Sequence, residues 1–147
     1  KLNLIKNNFM VEYFNNSFFL IIFFTHFIIY GLYAYKCLFD TKNFLKKYGM
    51  DKTSAIMTRF FGAMLIGSFV LAGYIVFVRE NGTLGTWAFF NLIFLQNLFT
   101  FFVAMSSHQK RNLGVVKRTS VIGIIIPAIL TLLSGILCFG LADKIYI

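Results

Sequence analysis

The chain has 147 residues, of which 59% are hydrophobic and only 13% are charged. Soluble domains carry about 25% charged residues, so this composition excludes a charged shell facing water over most of the surface. The stretches outside the apolar segments are also shorter than the ~50 residues of a soluble domain. We therefore predict a single transmembrane domain over residues 1–147.

The net charge of +9 would suggest a nucleic-acid partner if the protein were soluble. No basic face with interleaved aromatic residues lies outside the apolar segments. Membrane topology and anionic lipid headgroups explain the excess of Lys and Arg better. We expect no binding of nucleic acid.

Four apolar segments, at about residues 17–37, 54–78, 87–105 and 121–141, follow one another along the chain. Each is near the ~20 residues that a membrane-spanning helix needs. The first segment is too long for the core of a signal peptide, so we expect it to stay in the membrane. The prediction is an all-α, integral membrane four-helix bundle in a bacterial cytoplasmic membrane or an organelle membrane.

Positive charge is concentrated in two of the three connections, residues 36–53 and 106–120. By the positive-inside rule, both connections lie on the cytoplasm-like side and both termini on the non-cytoplasmic side. Basic side chains near this side are candidates to bind lipid headgroups or an anionic ligand. For Arg59, snorkelling to the headgroups or pairing with Asp40 or Asp51 are the alternatives. The candidates are Arg59, Lys46, Lys47, Lys110, Arg111, Lys117 and Arg118.

The connections also predict local structure. Residues 79–86 contain Asn81-Gly82, which predicts a tight turn that packs the second and third helices as antiparallel neighbours. Residues 39–48 have the apolar spacing of a short helix lying at the membrane interface. Residues 51–54 then offer capping side chains for the second spanning helix.

Small residues in the second segment predict close helix packing, since they let another helix approach. Packing inside the bundle is favoured over dimerisation. In the fourth segment, Pro127 predicts a kink, which either lines a cavity or only shapes the helix. The packing residues are Gly62, Ala63, Gly67 and Gly73.

The first segment carries a polar stripe formed by His26, Tyr30, Tyr33 and Cys37 at helical spacing. Such a stripe suits a quinone headgroup, a sterol hydroxyl or a haem. The alternative, which we favour, is a buried histidine that bonds the next helix. His108 lies more than ~10 Å from His26 in depth, which argues against haem ligation by both residues.

The third segment adds Asn97 and Thr100 on one side of the helix. If the first and third helices face each other, Asn97 lies at the depth of His26. We therefore predict a pocket lined by His26, Tyr30, Asn97 and Thr100, with hydrogen bonds between helices as the alternative role of these side chains. No cofactor is predicted, although a quinone or other lipid-like ligand would suit this pocket.

The sequence lacks residues arranged for metal binding or for catalysis. No span contains a carboxylate, and Cys37 and Cys138 lie near opposite ends of the bundle, so we expect two free, buried thiols. No nucleophile adjoins a base and no glycine-rich phosphate loop is present. We predict no catalytic residue and no metal site, and the chain is poorly equipped as an enzyme.

The run Lys46-Lys47-Tyr48-Gly49-Met50-Asp51, followed by Ala55 and Thr58-Arg59-Phe60-Phe61-Gly62, resembles small DoxX-like four-helix bacterial membrane proteins. The resemblance covers mainly residues 46–73, and a comparable Arg-x-x-Gly begins the second helix in that group. It implies a small membrane bundle, and redox-associated subunits are among the members of that group. Arg59 and Gly62, which match the Arg-x-x-Gly pattern, are the only site positions that the resemblance implies for this chain.

Three functions remain open at this stage. The first is a non-catalytic accessory or scaffolding subunit of a larger membrane complex, with other membrane subunits or a second copy as partners. The second is a quinone-binding or lipid-binding, redox-associated component that uses His26, Tyr30 and Asn97. The third, a transporter or channel subunit, is weakened because no span carries an acidic or repeated polar face.

Overall fold

A computed structural model of the chain describes residues 11–109 and 121–147. A 3-10 turn at Lys52–Ser54 precedes α3, and no β-strand occurs in the described part of the chain. The helices, in chain order, are α1 (Ser17–Phe39), α2 (Thr41–Tyr48), α3 (Ala55–Phe77), α4 (Trp87–Gln109), α5 (Ile122–Gly140) and α6 (Ala142–Ile145).

Four of these helices, α1, α3, α4 and α5, are long and apolar enough to cross a membrane. The shortest, α5, has 19 residues, which span about 28 Å at 1.5 Å per residue, close to the ~30 Å of a bilayer core. Most of their apolar surface faces outward, as expected for helices whose surroundings are lipid and not water. The predictions of an all-α class and of four such helices are confirmed.

The helices pair differently from the prediction. The most extensive contacts join α4 to α5 and α3 to α1, and α1 also contacts α5. In the described residues α3 and α4 scarcely touch, so the prediction that they pack as neighbours is wrong. Their connection is held by other parts of the chain: the Tyr13 hydroxyl donates to the Glu80 carbonyl (2.5 Å), and the Gly85 amide donates to the Lys144 carbonyl (3.1 Å). These contacts stretch the connection across the end of the bundle.

That end of the bundle is closed by residues from both ends of the described chain. Phe14, Leu141 and Ile145 are fully buried there. The Asn15 side-chain amide donates to Asp143 Oδ1 at 2.6 Å, which joins the start of α1 to the region after α5. This closure holds the helices together at the end that carries residues 79–86.

The opposite end of the bundle carries α2, which corresponds to the short helix predicted over residues 39–48. Its apolar side chains pack against the bundle, and Phe44 lies 5.4 Å from the ring of Tyr33 between ring centres. Asp51 Oδ1 accepts hydrogen bonds from the backbone amide and the hydroxyl of Thr53, so it caps the 3-10 turn before α3. Ser54, at the N-cap of α3 itself, makes no side-chain capping hydrogen bond, so the predicted cap acts on the turn and not on the spanning helix.

Gly62 is the one predicted packing residue that lies at a close contact between α1 and α3. A Cβ atom at Gly62 would lie 2.7 Å from the Cys37 Cβ. Ala63 and Gly67 are exposed, and a Cβ at Gly67 or Gly73 would meet no atom within 4 Å. Within the bundle, only Gly62 of the four therefore serves close packing, because α1 covers only the face of α3 that contains it.

Candidate ligand-binding cleft

The gap between α3 and α4 forms a cleft, with these two helices as walls and α1 and α5 as floor. It consists of two adjoining cavities of about 500 and 390 Å³. Both cavities are lined by Tyr33, Phe61, Thr100 and Pro127, so they lie side by side. We call this space the central cleft.

The central cleft runs from the middle of the bundle to the end that carries α2. Asn97 lies ten residues into α4, which corresponds to a depth of roughly 15 Å from Trp87. At the other extreme, Ser107 of α4 and Ser54 before α3 line the second cavity. An elongated molecule in the cleft would therefore reach from mid-membrane to the α2 end.

A buried polar network joins α1, α4 and α5 at the deep end of the cleft. Asn97 Nδ2 donates to His26 Nε2 at 2.9 Å and to Ser134 Oγ at 3.1 Å. The Ser134 hydroxyl in turn donates to the Leu130 carbonyl at 2.7 Å. His26 and Asn97 thus lie at the same depth, as their positions in the helices predict.

The hydrogen bonds determine the orientation of the Asn97 amide. Its Nδ2 also lies 3.3 Å from the Leu130 carbonyl, which can only accept, so the nitrogen side must face the network. The Asn97 Oδ1 atom accepts no hydrogen bond from the described residues. Because Asn97 also lines the cleft, it offers this acceptor to a ligand there.

His26 lies behind Asn97 and does not line the cleft, although it was predicted as a lining residue. Since Nε2 accepts from Asn97, the ring proton is on Nδ1. The Nδ1 atom is enclosed and has no hydrogen-bond partner in the described structure. His26 therefore supports the deep wall of the cleft and is not itself in reach of an occupant.

Tyr30 stacks on the His26 ring, with 5.0 Å between ring centres, and lines the cleft. Its hydroxyl makes no hydrogen bond with the described residues. Thr100 also lines the cleft, but its hydroxyl donates to the Gln96 carbonyl on its own helix at 2.7 Å. The deep cavity thus offers Tyr30 Oη–H as an unused donor and Asn97 Oδ1 as an unused acceptor, and the Gln96 side-chain amide, which also lines it, makes no hydrogen bond with the described residues either.

Most lining residues were not included in the predicted pocket, and three of them are recognisable in the sequence. Gln96 stands directly before Asn97, Tyr33 belongs to the polar stripe of the first segment, and Pro127 was expected to kink its helix. Each is recognisable in the sequence as a polar residue or a proline inside an apolar segment. The sequence does not show that α3 and α4 leave a gap between them.

The chemistry of the central cleft is that of a binding site. Its lining is mainly aliphatic and aromatic, with a few hydrogen-bonding groups, as in sites for apolar ligands. Within residues 11–109 and 121–147, no group of three or more His, Cys, Asp or Glu side chains is arranged to hold a metal ion. Cys37 and Cys138 are free and buried.

The predicted anion-binding residues fall into separate places. Arg59 and Lys46 line one cavity beside α2, whereas the Lys47 ammonium lies 5.8 Å from the centre of the Tyr48 ring. Arg59 forms no ion pair with Asp40 or Asp51. The predicted residues Lys110, Arg111, Lys117 and Arg118 lie outside the described part of the chain.

No protein-family model, curated protein or solved structure matches this chain. The resemblance of residues 46–73 to DoxX-like proteins stays a prediction, as do the roles that it implies for Arg59 and Gly62.

Proposed function

We propose that this protein is a non-catalytic membrane component that binds a lipid-like ligand, of the quinone or quinol type, in the central cleft. The observation that carries the proposal is the pair of unused groups at the deep end, the Tyr30 hydroxyl and Asn97 Oδ1. A quinone carbonyl accepts from the hydroxyl, and a quinol hydroxyl donates to the amide oxygen. Both redox forms of one head group therefore find a partner.

The size and lining of the cleft support the same class of ligand. Cavities of about 500 and 390 Å³ fall in the range of small-molecule sites. The apolar walls suit an isoprenoid or acyl tail, since burial of each CH₂ contributes about 0.8 kcal/mol. The gap between α3 and α4 offers a route to the cleft from the lipid.

The test compares two tyrosine variants on the same helix. Tyr30→Phe removes the unused hydroxyl in the cleft, whereas Tyr35→Phe removes an exposed one and serves as the control. A short-tailed benzoquinone, titrated into detergent-solubilised protein, is expected to raise the thermal unfolding temperature of wild type and Tyr35→Phe alike. In Tyr30→Phe its affinity should fall about fivefold, the equivalent of one hydrogen bond of ~1 kcal/mol. Equal affinity for all three proteins would contradict the proposal.

A second candidate, an accessory or scaffolding subunit, is favoured by a different observation. Ala63 and Gly67 form an exposed small-residue face on α3, where a Cβ at Gly67 meets no atom within 4 Å. Such faces allow close helix association in lipid. Gly67→Leu should therefore abolish cross-linking in native membranes to a partner subunit or a second copy, without unfolding the chain. Ala88→Leu, at an exposed small residue of α4, is the control; unchanged cross-linking in Gly67→Leu would exclude this face.

The orientation of the bundle belongs to the same proposal. The positive-inside rule supports residues 36–53 and 106–120 on the cytoplasm-like side, in a bacterial cytoplasmic membrane or an organelle membrane. The α2 end of the central cleft then faces that side.

A further inference from the structure

A second cavity, of about 950 Å³, lies beside α2 and is separate from the central cleft. It is bounded by the last residues of α1, one face of α2, the 3-10 turn and the first turns of α3. The only residue it shares with the central cleft is Met50, within the described linings. We call it the basic cavity, because four cationic side chains line it: Lys42, Lys46, Lys52 and Arg59.

Helical geometry brings these four cations to one place. Lys42 and Lys46 are four residues apart on α2, so they project from the same face. Arg59 lies one turn after Ala55 on α3, and Lys52 belongs to the turn that joins the two helices. The cations therefore come from three successive elements that fold around one space.

No carboxylate lines the basic cavity, and the two nearby ones are engaged elsewhere. Asp40 Oδ1 accepts a hydrogen bond from the Asn43 side-chain amide at 2.6 Å. Asp51 Oδ1 accepts from Thr53, and the backbone hydrogen bond holds the pKa of that carboxyl below its usual value. In the described residues none of the four cations forms an ion pair. Asp51 nevertheless attracts Lys52, so part of the positive charge is balanced. Four cations and no carboxylate in the lining still leave a net positive space, which a bound anion would neutralise.

Part of the lining of the basic cavity is apolar, beside the polar side chains of Thr41 and Asn43. Leu38 and Leu45 contribute to the lining, and Phe39 beside them is 76% exposed. A free anion gains nothing from such a surface, whereas a lipid that carries the anion buries its glycerol and upper acyl carbons against it. The positive charge and the apolar part of the lining together favour an anionic lipid as the ligand.

We infer that the basic cavity is a binding site for the phosphate headgroup of an anionic phospholipid from the leaflet on the α2 side. Lys46 on α2 and Arg59 on α3 line the cavity from two helices and would be the principal ligands, with Lys42 and Lys52 adding charge. This site requires neither the central cleft nor its occupant.

The experiment measures phospholipid binding by native mass spectrometry of the full chain released from neutral detergent. The probes are phosphatidylglycerol, phosphatidylcholine and inorganic phosphate. Wild type is expected to retain phosphatidylglycerol at least tenfold more tightly than phosphatidylcholine. Millimolar inorganic phosphate should not displace the lipid; displacement would show a site for free anions and overturn the inference.

Matched double variants distinguish binding in the basic cavity from nonspecific attraction of the lipid to positive charge at this end of the bundle. Lys46→Gln with Arg59→Gln removes two charges from the basic cavity, whereas Lys36→Gln with Lys47→Gln removes two exposed charges near the same end that do not line it. The first pair should weaken phosphatidylglycerol binding at least tenfold, and the second less than twofold. Equal losses in the two pairs would overturn the inference.

A charge-preserving variant distinguishes lost binding from lost structure. Arg59→Lys keeps the cation and should bind within threefold of wild type. All of these side chains are exposed, and circular dichroism in detergent is expected to be unchanged. Loss of binding in Arg59→Lys to the level of the double variant would contradict a role for charge at this site.

Discussion

At the scale of single residues, the hydrogen bonds of the Asn97 side chain connect three helices. One amide nitrogen meets acceptors from two other helices, His26 Nε2 on α1 and Ser134 Oγ on α5. In the low dielectric of a membrane interior, an acceptor without a donor is costly. Asn97 thus joins the two halves of the bundle, α1 with α3 and α4 with α5.

Asn97→Leu should lower the free energy of unfolding by about 1–2 kcal/mol, because it leaves His26 Nε2 without a donor. The measurement is unfolding of the detergent-solubilised protein by sodium dodecyl sulfate. Asn91→Leu is the control, since Asn91 bonds Tyr146 at an exposed position, and it should cost less.

The double variant His26→Leu with Asn97→Leu tests the cause of this loss. Replacing both partners by apolar side chains removes the unsatisfied acceptor, so part of the lost stability should return. Additive losses would show that the two side chains do not act as a pair.

At the scale of elements, the close approach of α1 and α3 depends on Gly62. A methyl group there would stand 2.7 Å from the Cys37 Cβ and 3.3 Å from the Ala34 carbonyl oxygen, neither of which can move without shifting α1. The same helix α3 forms one wall of the central cleft, so a shift of α3 relative to α1 would also change the cleft.

Gly62→Ala should destabilise the bundle by about 1–3 kcal/mol through overpacking. Gly67→Ala, with open space at its Cβ position, should be neutral or slightly stabilising, because alanine favours helix more than glycine. Thermal unfolding in detergent gives both values. A Gly67→Ala loss as large as that of Gly62→Ala would contradict the helix pairing described above.

At the scale of the whole molecule, the two ends of the bundle differ. One end is tied by hydrogen bonds among the region before α1, the connection between α3 and α4, and the region after α5. The other end carries α2, the second cavity of the central cleft and the basic cavity. Both candidate binding sites therefore reach the same end of the bundle, for which the charge pattern predicts the cytoplasm-like side.

Cysteine labelling tests this orientation. Cys37 and Cys138 are buried, so the wild-type chain should give little background. In a bacterial host, Asn81→Cys should react with a membrane-impermeant maleimide on intact cells, and Lys47→Cys only after permeabilisation. The reverse pattern would place the basic connections outside.

Much of the candidate site was predictable because depth along a helix follows from residue count. His26 and Asn97 lie about as far from the starts of α1 and α4, and both helices begin at the same end of the bundle, so they meet. Gln96 and Pro127 were recognisable in the sequence as unusual residues in apolar segments, but it was not predictable that they line a cleft. Whether they do depends on which pairs of helices do not pack against each other.

The sequence by itself determined the four spans, the all-α class and the concentration of charge in two connections, because hydropathy and charge are sums over neighbouring residues. The tertiary structure alone decided that α3 pairs with α1, that only Gly62 of four small residues meets another helix, and that a cleft separates α3 from α4. A short connection between two helices predicts that they pack side by side only when no other part of the chain binds the connection. Here Tyr13 and Lys144, far away in the chain, hold the connection open, and such long-range contacts leave no local pattern.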